Sequence, residues 1–435
     1  MCYAIPGRVV ALRDRLAVVE YYGRRKTARN EWPHLRVGDY VLAQGGFIIE
    51  ILSEEEARET LRAWEALFRE LAETDARLSP PALPRPGASP HIRRLLEPAL
   101  EGRPLGLEAI EELLRIESPA DLDLLYRTAN HLRHRHQENA CCVHGILELS
   151  NDCRRSCAYC GIRAGRGDLF RYRLSVEEAV DAAGEAIVRY GFRALVLQSG
   201  EGAYPLEDLM AIVAEIRRRW PCLVIASFGD MDEEALDELY EAGARGLLLR
   251  FETSNPALFA HWRPGASLDR RLRLLRHAAG RGYLLMTGAL IGLPGQTLRD
   301  RARDILLARD LKPEMVSFGP FLPSPGTPLS SAAPPALDEA LKTLAVLRLC
   351  DGGGGNVLVS TALETLHPEG RERGLQAGGN TLMLNATPLR YRPHYALYPG
   401  RAHASESLER QIADTLTLLK RLGRAPTDLG LSADR

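Results

Sequence analysis

Ile146-Leu-Glu-Leu-Ser150-Asn-Asp-Cys153-Arg-Arg-Ser-Cys157-Ala-Tyr-Cys160 decides the fold. A short apolar run with the length of a buried strand ends at Ser150. Three cysteines follow at once, with the spacing C-x3-C-x2-C. Three soft thiolates on one short loop suffice to hold three irons of a 4Fe–4S cube and leave the fourth iron without a protein ligand. An open metal position is where a small molecule binds and reacts. A zinc knuckle is the competing use of such thiolates, but no second Cys/His pair follows at zinc spacing.

Outward from this loop, strand and helix patterns alternate eight times. The expected strands are Ile146–Ser150, Ala194–Ser199, Leu223–Ser227, Gly246–Phe251, Leu284–Leu290, Met315–Gly319, Val357–Thr361 and Thr381–Leu384. They are short and apolar on both faces, as buried parallel strands are. Helical stretches such as Val176–Tyr190, Leu206–Arg219 and Asp232–Ala242 separate them. Eight βα units predict an α/β fold, a (β/α)8 barrel, with a doubly wound open sheet as the alternative. Catalytic groups then belong at the C-terminal ends of the strands.

Those ends carry polar residues. Gln198-Ser-Gly200-Glu201 follows strand two. Arg250 and Glu252 alternate onto one face after strand four, where opposite charges need partners. Arg263 and Arg271 downstream are suited to engage a carboxylate. Ile291-Gly-Leu-Pro-Gly-Gln-Thr297 lets backbone approach a ligand closely. Gly319-Pro-Phe-Leu-Pro-Ser-Pro-Gly-Thr-Pro328 forms a rigid lip. Ser360 and Thr361 end strand seven, and Asn380 and Asn385 flank strand eight. Tyr391, Tyr395 and Tyr398 follow. Such hydroxyls and amides suit the orientation of a small polar substrate.

The first 80 residues have another character. Gly7–Leu12, Leu16–Tyr22, Arg24–Arg29, Asp39–Gln44 and Phe47–Leu52 read as strands of a small all-β, OB-like barrel, with turns at Gly23 and Val37-Gly-Asp39. Ser53 with Glu56 makes a capping box for a trailing helix. Leu78-Ser-Pro-Pro-Ala-Leu-Pro-Arg-Pro-Gly87 then interrupts the pattern; Pro80, Pro81, Pro84, Pro86 and Pro90 favour an extended spacer. Helical segments near 91–98, 107–115 and 119–136 lead into the second part. The expected division is 1–76 for the β-barrel and its helix, 77–104 for a Pro-rich linker, 105–425 for the larger barrel and 426–435 for a tail.

Composition narrows the function. Lys and Arg number 56 against 57 Asp and Glu, with no basic block, which predicts no nucleic-acid or membrane-surface partner. No apolar run reaches membrane-spanning length and no signal-peptide layout opens the chain, so a cytoplasmic location is expected. The eight cysteines are then thiols. Cys222 and Cys350 read as core residues. Cys141 and Cys142, read as lying just ahead of the first strand, have no assigned role.

The three-cysteine loop resembles the signature of the radical S-adenosylmethionine (SAM) superfamily. Tyr159 is the aromatic expected there, and Gln198-Ser-Gly-Glu201 resembles the superfamily's GGE-type turn. Cys153-x3-Cys-Ala-Tyr-Cys-Gly-Ile-Arg163, Arg171-Tyr-Arg-Leu, Leu197-Gln-Ser-Gly-Glu, Leu249-Arg-Phe-Glu-Thr, Gly292-Leu-Pro-Gly-Gln-Thr, Gly319-Pro-Phe and Leu397-Tyr-Pro-Gly together resemble the HydE-type maturases of FeFe hydrogenase, over residues 105–425. The resemblance implies one 4Fe–4S cluster on Cys153, Cys157 and Cys160, and SAM contacted by Gln198, Glu201, Glu252 and Arg271; Tyr159 beside the cluster, Gly200 of the glycine turn and Arg250, a polar contact to SAM or substrate, complete the expected cofactor-binding set. The resemblance places Ser360, Thr361 and Tyr398 at the barrel cavity, so that these three and the cluster cysteines are the expected catalytic set. Many members carry a second cluster after the Tyr-Pro-Gly segment. Here Arg401-Ala-His-Ala-Ser-Glu-Ser lacks cysteine, and no second cluster is expected.

Met1-Cys2-Tyr-Ala-Ile-Pro-Gly7, with Val37-Gly-Asp-Tyr-Val-Leu and Gly46-Phe-Ile-Ile-Glu, resembles the HypC-type chaperone of NiFe-hydrogenase maturation, over residues 1–75. That family uses its Cys2 equivalent to carry an iron bearing CO and cyanide. It usually places a histidine just before the Gly-Phe segment, where this chain has Gln44 nearby; His34 is the nearest other histidine. Two such modules on one chain share a high effective concentration. The expectation is a radical SAM enzyme of hydrogenase cofactor maturation. It cleaves SAM reductively to a 5′-deoxyadenosyl radical and acts on, or makes a ligand for, an Fe(CO)(CN)2-type iron that Cys2 presents to the barrel mouth. Expected partners are hydrogenase maturation proteins or a large-subunit precursor, and an electron donor such as ferredoxin or flavodoxin. Two alternatives stay open: a small organic substrate, as in biotin synthase or methylornithine synthase, and a non-catalytic Fe–S scaffold.

Overall fold

Short β-rich runs bounded by turns, followed by alternating βα units, fold here into two barrels. The structure, a computed structural model, describes residues 5–22, 24–81, 86–351, 355–427 and 431–432. Cys2, Gly23, Pro84 and much of the 426–435 tail lie outside the described residues.

The first barrel contains β1 (Gly7–Arg13), β2 (Leu16–Tyr21), β3 (Arg24–Arg29), β4 (Tyr40–Gln44) and β5 (Phe47–Leu52). Antiparallel pairing in the order β3-β2-β1-β4-β5 is closed by a bridge from Arg29 to Phe47. Ile5, Val9, Ala17, Val19, Val41 and Ile48 fill it. The Ser53–Glu56 capping box starts the helix Glu54–Leu78. The helix expected near 91–98 spans Pro90–Leu100 and buries Ile92, Leu96 and Ala99 against the larger domain.

The second barrel is parallel: β6 (Cys142–Ser150), β7 (Ala194–Ser199), β8 (Leu223–Ser227), β9 (Gly246–Leu248), β10 (Leu284–Thr287), then β11 (Leu290–Ile291), β12 (Met315–Val316), β13 (Gly319–Pro320), β14 (Asn356–Val357) and β15 (Thr381–Asn385). Two-residue β11 and β13 pair apart from the ring. A short β16 (Leu431–Ser432) pairs with β3 of the first barrel. The other eight run in sequence order, and β15 returns to β6. Leu358 bridges Thr381 and closes the ring. The open-sheet alternative is thereby replaced by a (β/α)8 barrel.

Several boundaries differ from expectation. The first strand begins four residues early, so Cys142 is its first residue. Its Cys and His side chains break the apolar pattern of a buried strand. β9 stops at Leu248, which leaves Arg250 and Glu252 on the following segment, tied back by a bridge from Glu252 to Ala289. Glu252 has φ +66°, a conformation costly for a residue with a Cβ and concentrated at functional sites. Ser360 and Thr361 do not end a strand; Ser360 precedes the helix Thr361–Leu366. The expected helix 176–190 finishes in a π-helical turn, Glu185–Arg189.

The small barrel sits at the N-terminal ends of the parallel strands, opposite the cysteine loop. Leu42, Phe47 and Ile49 form one apolar cluster with Ala194, Leu223, Leu284 and Met315. Gly45, at φ +55°, lies where a Cβ would meet Leu223 and Leu284, at 2.9 and 2.8 Å. Arg29 donates to the carbonyl of Gly282, and Arg245 pairs with Glu31 at 2.8 Å. The apolar face of β4 and β5 thus seals the closed end of the larger barrel, while Cys2 itself lies outside the described residues. No helix among the described residues is long and apolar enough to cross a membrane.

Candidate active site

One cavity of about 330 Å³ opens at the C-terminal ends of the strands, a size suited to a small molecule. Every residue of the larger barrel singled out as a catalytic or cofactor contact lines it: Cys153, Cys157, Tyr159, Cys160, Gln198, Gly200, Glu201, Arg250, Glu252, Arg271, Ser360, Thr361 and Tyr398. Cys2 lies outside the described residues.

The cysteine loop is held by backbone bonds to distant segments. Ala158 N–H donates to Trp262 at 2.9 Å, Gly161 N–H to Leu397 at 2.8 Å, and Arg154 N–H to the carbonyl of Glu201 at 2.9 Å. Burial, with the neighbouring Cys157 and Cys153, pushes the Cys160 thiol up to about 12. Burial also raises Cys157. Cys157 and Cys160 resist ionisation by themselves, and such buried thiols, joined by Cys153 on the same loop, are a donor set that a cationic cluster would stabilise as thiolates. The residues therefore fit a cluster.

The glycine turn lies directly against this loop. A Cβ on Gly200 would overlap the carbonyl oxygen of Asp152 and come within 2.8 Å of Cys153 Cβ. Next to it, Glu201 is buried among guanidiniums. Oε2 accepts from Arg263 and Arg271, each at 3.1 Å, and Oε1 accepts from Arg155. Burial alone would raise its carboxyl pKa, but Arg271, Arg263 and Arg155 outweigh burial and hold it below the ordinary value. Arg271 is itself fixed by Asp230 Oδ1 at 2.9 Å and the Arg250 carbonyl at 2.7 Å. Arg263 also donates to Tyr159 Oη at 3.2 Å. Ser360 Oγ and Arg250 Nε are buried without a hydrogen-bond partner among the described residues, an unmet polar capacity facing the cavity.

Other residues read from the sequence are structural. Asn380 accepts from Arg348 and from Val357 N–H, at 2.6 and 2.8 Å. Tyr391 stacks on Tyr172 and donates to Glu178. The Ile291–Thr297 loop closes on itself through Gln296, which accepts from Gly292 N–H at 2.8 Å. Cys222 and Cys350 are buried, and burial pushes both up to about 12.

The sequence reading missed Glu148 and Arg401. Glu148 is fully buried on β6 and ion-pairs with Arg401, which lines the cavity. Asn385 donates to Glu148 Oε2 at 3.0 Å. A carboxylate inside an apolar strand was the available signal.

A closed parallel barrel, three cysteines on its first loop and a carboxylate-bearing glycine turn on its second define a radical SAM enzyme. Residues 147–308 match the family profile of the radical SAM superfamily, and residues 1–64 that of the HupF/HypC family. The FeFe hydrogenase maturase subunit HydE of Thermotoga maritima is 36% identical over 334 residues, 77% of this chain and 95% of that protein. A 3-methylornithine synthase of Methanosarcina acetivorans is 28% identical over 77% of this chain and 93% of its own length. The crystal structure of methylornithine synthase superposes with TM-score 0.68 at 27% identity, covering 77% of this chain and 98% of that one. The chain belongs to the HydE family of radical SAM maturases and carries a HypC-family module at its N-terminus. The superfamily implies a 4Fe–4S cluster and SAM, and the family a role in hydrogenase maturation.

Proposed function

We propose that the chain matures a hydrogenase metallocofactor by acting, in the cavity under the cysteine loop, on an iron species with CO and cyanide ligands that the N-terminal module handles through Cys2. The observation that carries this reading is the convergence of the thirteen residues read from sequence on one cavity in a HydE-family barrel that also carries a HypC-family module. The proposal includes the division into 1–76, 77–104, 105–425 and 426–435.

Cys153, Cys157 and Cys160 hold the cluster. Gln198, Gly200, Glu201, Glu252 and Arg271 hold SAM, with the Glu201 carboxylate matched to its ammonium. When bound, these groups supply reductive cleavage of the sulfonium C–S bond and a 5′-deoxyadenosyl radical, the electron coming from an external donor such as ferredoxin or flavodoxin. Tyr159 shields the cluster corner from water. Ser360, Thr361, Tyr398 and Arg250 orient the substrate. Burial raises Tyr398 and keeps its hydroxyl neutral, able both to donate and to accept. The product passes to a hydrogenase maturation protein or precursor.

The test is anaerobic reconstitution with iron, sulfide, SAM and dithionite. Methionine and 5′-deoxyadenosine should form with the native chain and not with Cys157→Ala. Product analysis with a carbonyl–cyanide iron complex should show changed infrared bands. A chain that binds SAM without cleaving it is a scaffold, and the proposal fails. Arg250 and the Arg401–Glu148 pair, in a barrel similar to methylornithine synthase, also suit an amino-acid substrate. Turnover on a small organic acid with no effect on the iron complex would establish that second reading.

A further inference from the structure

The closed end of the larger barrel holds a group of soft donors remote from the cysteine loop. On β6 side chains alternate, so Val143 and Leu147 pack outward while Cys142, His144 and Ile146 face the interior. Cys142 Sγ lies 2.9 Å from His144 Nε2. From the small barrel, Gln44 brings its side-chain nitrogen to 3.7 Å from the same sulfur. Gln44 is 0%, Cys142 2% and His144 3% exposed. These three side chains come from two modules and meet on the seam between them.

Their chemistry suits a soft metal. Gln44, beside Gly45-Gly46-Phe47, is the small barrel's contribution to the group. A carboxamide is a poor ligand for a soft metal, whereas a thiolate and an imidazole are good ones. The barrel supplies both at the amide. The pair also lies close to the cavity floor. His144 is in register with Met383 on β15, and Met383 and Ile146 both line the active-site cavity. Met383, a polarizable thioether, is thus a cavity-lining neighbour of His144 in the barrel wall.

We propose that Cys142 and His144, with Gln44 across the seam, form a second station for a thiophilic divalent metal, specifically the iron cargo, at the closed end of the barrel. The station rests on the reading that the N-terminal module handles iron. It makes the seam, rather than the open mouth, the place where the two modules share cargo. Cys142 binds as thiolate and His144 as neutral imidazole through Nε2, so uptake releases the thiol proton to solvent.

The test uses the full chain with Cys153, Cys157 and Cys160 all replaced by alanine, titrated anaerobically with cobalt(II) as a spectroscopic stand-in for iron(II). One equivalent should bind and give a thiolate-to-cobalt charge-transfer band. Cys142→Ser in that background should abolish the band. His144→Gln retains an acceptor for the thiol but removes the imidazole, and should weaken binding at least ~10-fold; it serves as the deciding variant if Cys142→Ser does not fold. The absence of a band, or an unchanged affinity in His144→Gln, leaves only a thiol–imidazole hydrogen bond and overturns the proposal. A band lost in Cys2→Ala but kept in Cys142→Ser places the metal on Cys2 alone and also overturns it. SAM cleavage by the native chain is assayed separately, so a failed station and a failed enzymatic reading give different results.

Discussion

Asp75 and Arg133 face each other as a bidentate pair, Nη1 to Oδ2 at 2.7 Å and Nη2 to Oδ1 at 2.8 Å, in a site closed to solvent. Asp75 is on the helix that trails the small barrel, and Arg133 on the helix Pro119–Gln137 of the larger domain. Arg424 adds a third charge at 3.0 Å and His134 a fourth group at 2.7 Å. The Pro-rich span thus runs between two bodies already clamped together by one carboxylate.

Asp75→Asn should destabilise the chain by about 3–5 kcal/mol, because Arg133 and Arg424 would remain buried without their counter-charge. Burial alone would raise the Asp75 pKa, but His134, Arg133 and Arg424 hold it well below the usual carboxylate range. For a depressed carboxylate, the stabilisation is complete above the unfolded pKa near ~4 and is lost as pH falls through the folded value. Denaturant unfolding of both proteins should show a constant gap from neutral pH down to about pH 5, closing only in stronger acid. A gap under about 1 kcal/mol at pH 7 would show that the clamp contributes little.

Glu201→Gln should weaken SAM binding by about 2–5 kcal/mol, since it removes the buried anion and leaves Arg155, Arg263 and Arg271 unneutralised. The native carboxylate, held below its ordinary value by those guanidiniums, stays ionised from pH 8 to pH 5. SAM affinity, measured by equilibrium dialysis, should therefore be flat over that range in the native chain, as far as this group determines it. An affinity within threefold of native in the variant would remove Glu201 from the SAM contacts.

The sequence made the cysteine loop and its glycine turn legible because both lie within a few residues of strands with clear apolar periodicity. β7 and β8 have the expected boundaries for the same reason. β6 was read four residues short: Cys142 and His144 point into the barrel where an apolar side chain is the norm. The Arg401–Glu148 pair joins residues 253 apart, and no local pattern announces such a contact. The docking of the small barrel was hidden for another reason. Leu223, Leu284 and Met315 at the strand starts read as ordinary barrel core, and only the assembled structure shows Phe47 packed with them.

His403 should give the region around Arg401 a pH-dependent stability. Its Nδ1 lies 2.7 Å from Glu406 and its Nε2 2.9 Å from Glu364. Burial alone would lower its pKa and Arg371 opposes the proton, but the hydrogen bond to Glu364, its charge and Glu406 win, and the net shift is upward. A raised histidine contributes stability that is complete below its unfolded pKa near ~6.5 and is lost as pH rises through the folded value. His403→Gln should cost about 1.5–3 kcal/mol at pH 6, the worth of charged hydrogen bonds, and much less at pH 9. Thermal unfolding of both proteins at the two pH values checks this. An equal cost at both, or a larger one at pH 9, would contradict the assigned sign.

Gly200→Ala should abolish turnover while leaving the fold intact. The added Cβ overlaps the Asp152 carbonyl, which is backbone and cannot rotate aside, and it also presses on Cys153. The cysteine loop must shift against the turn, and a displacement of about 1 Å near reacting groups costs roughly 100-fold in rate. Gly202→Ala is the matched control. Gly202 has φ +76°, so alanine there is strained by about 1–2 kcal/mol, yet the nearest atoms are the Arg154 side chain at 3.6 Å and beyond. Both variants should retain the native circular dichroism spectrum. 5′-Deoxyadenosine formation should fall at least ~100-fold in Gly200→Ala and by less than tenfold in Gly202→Ala. If both fell equally, general backbone strain would account for the loss. If Gly200→Ala matched the native rate, the close approach of turn and cysteine loop would have no part in catalysis.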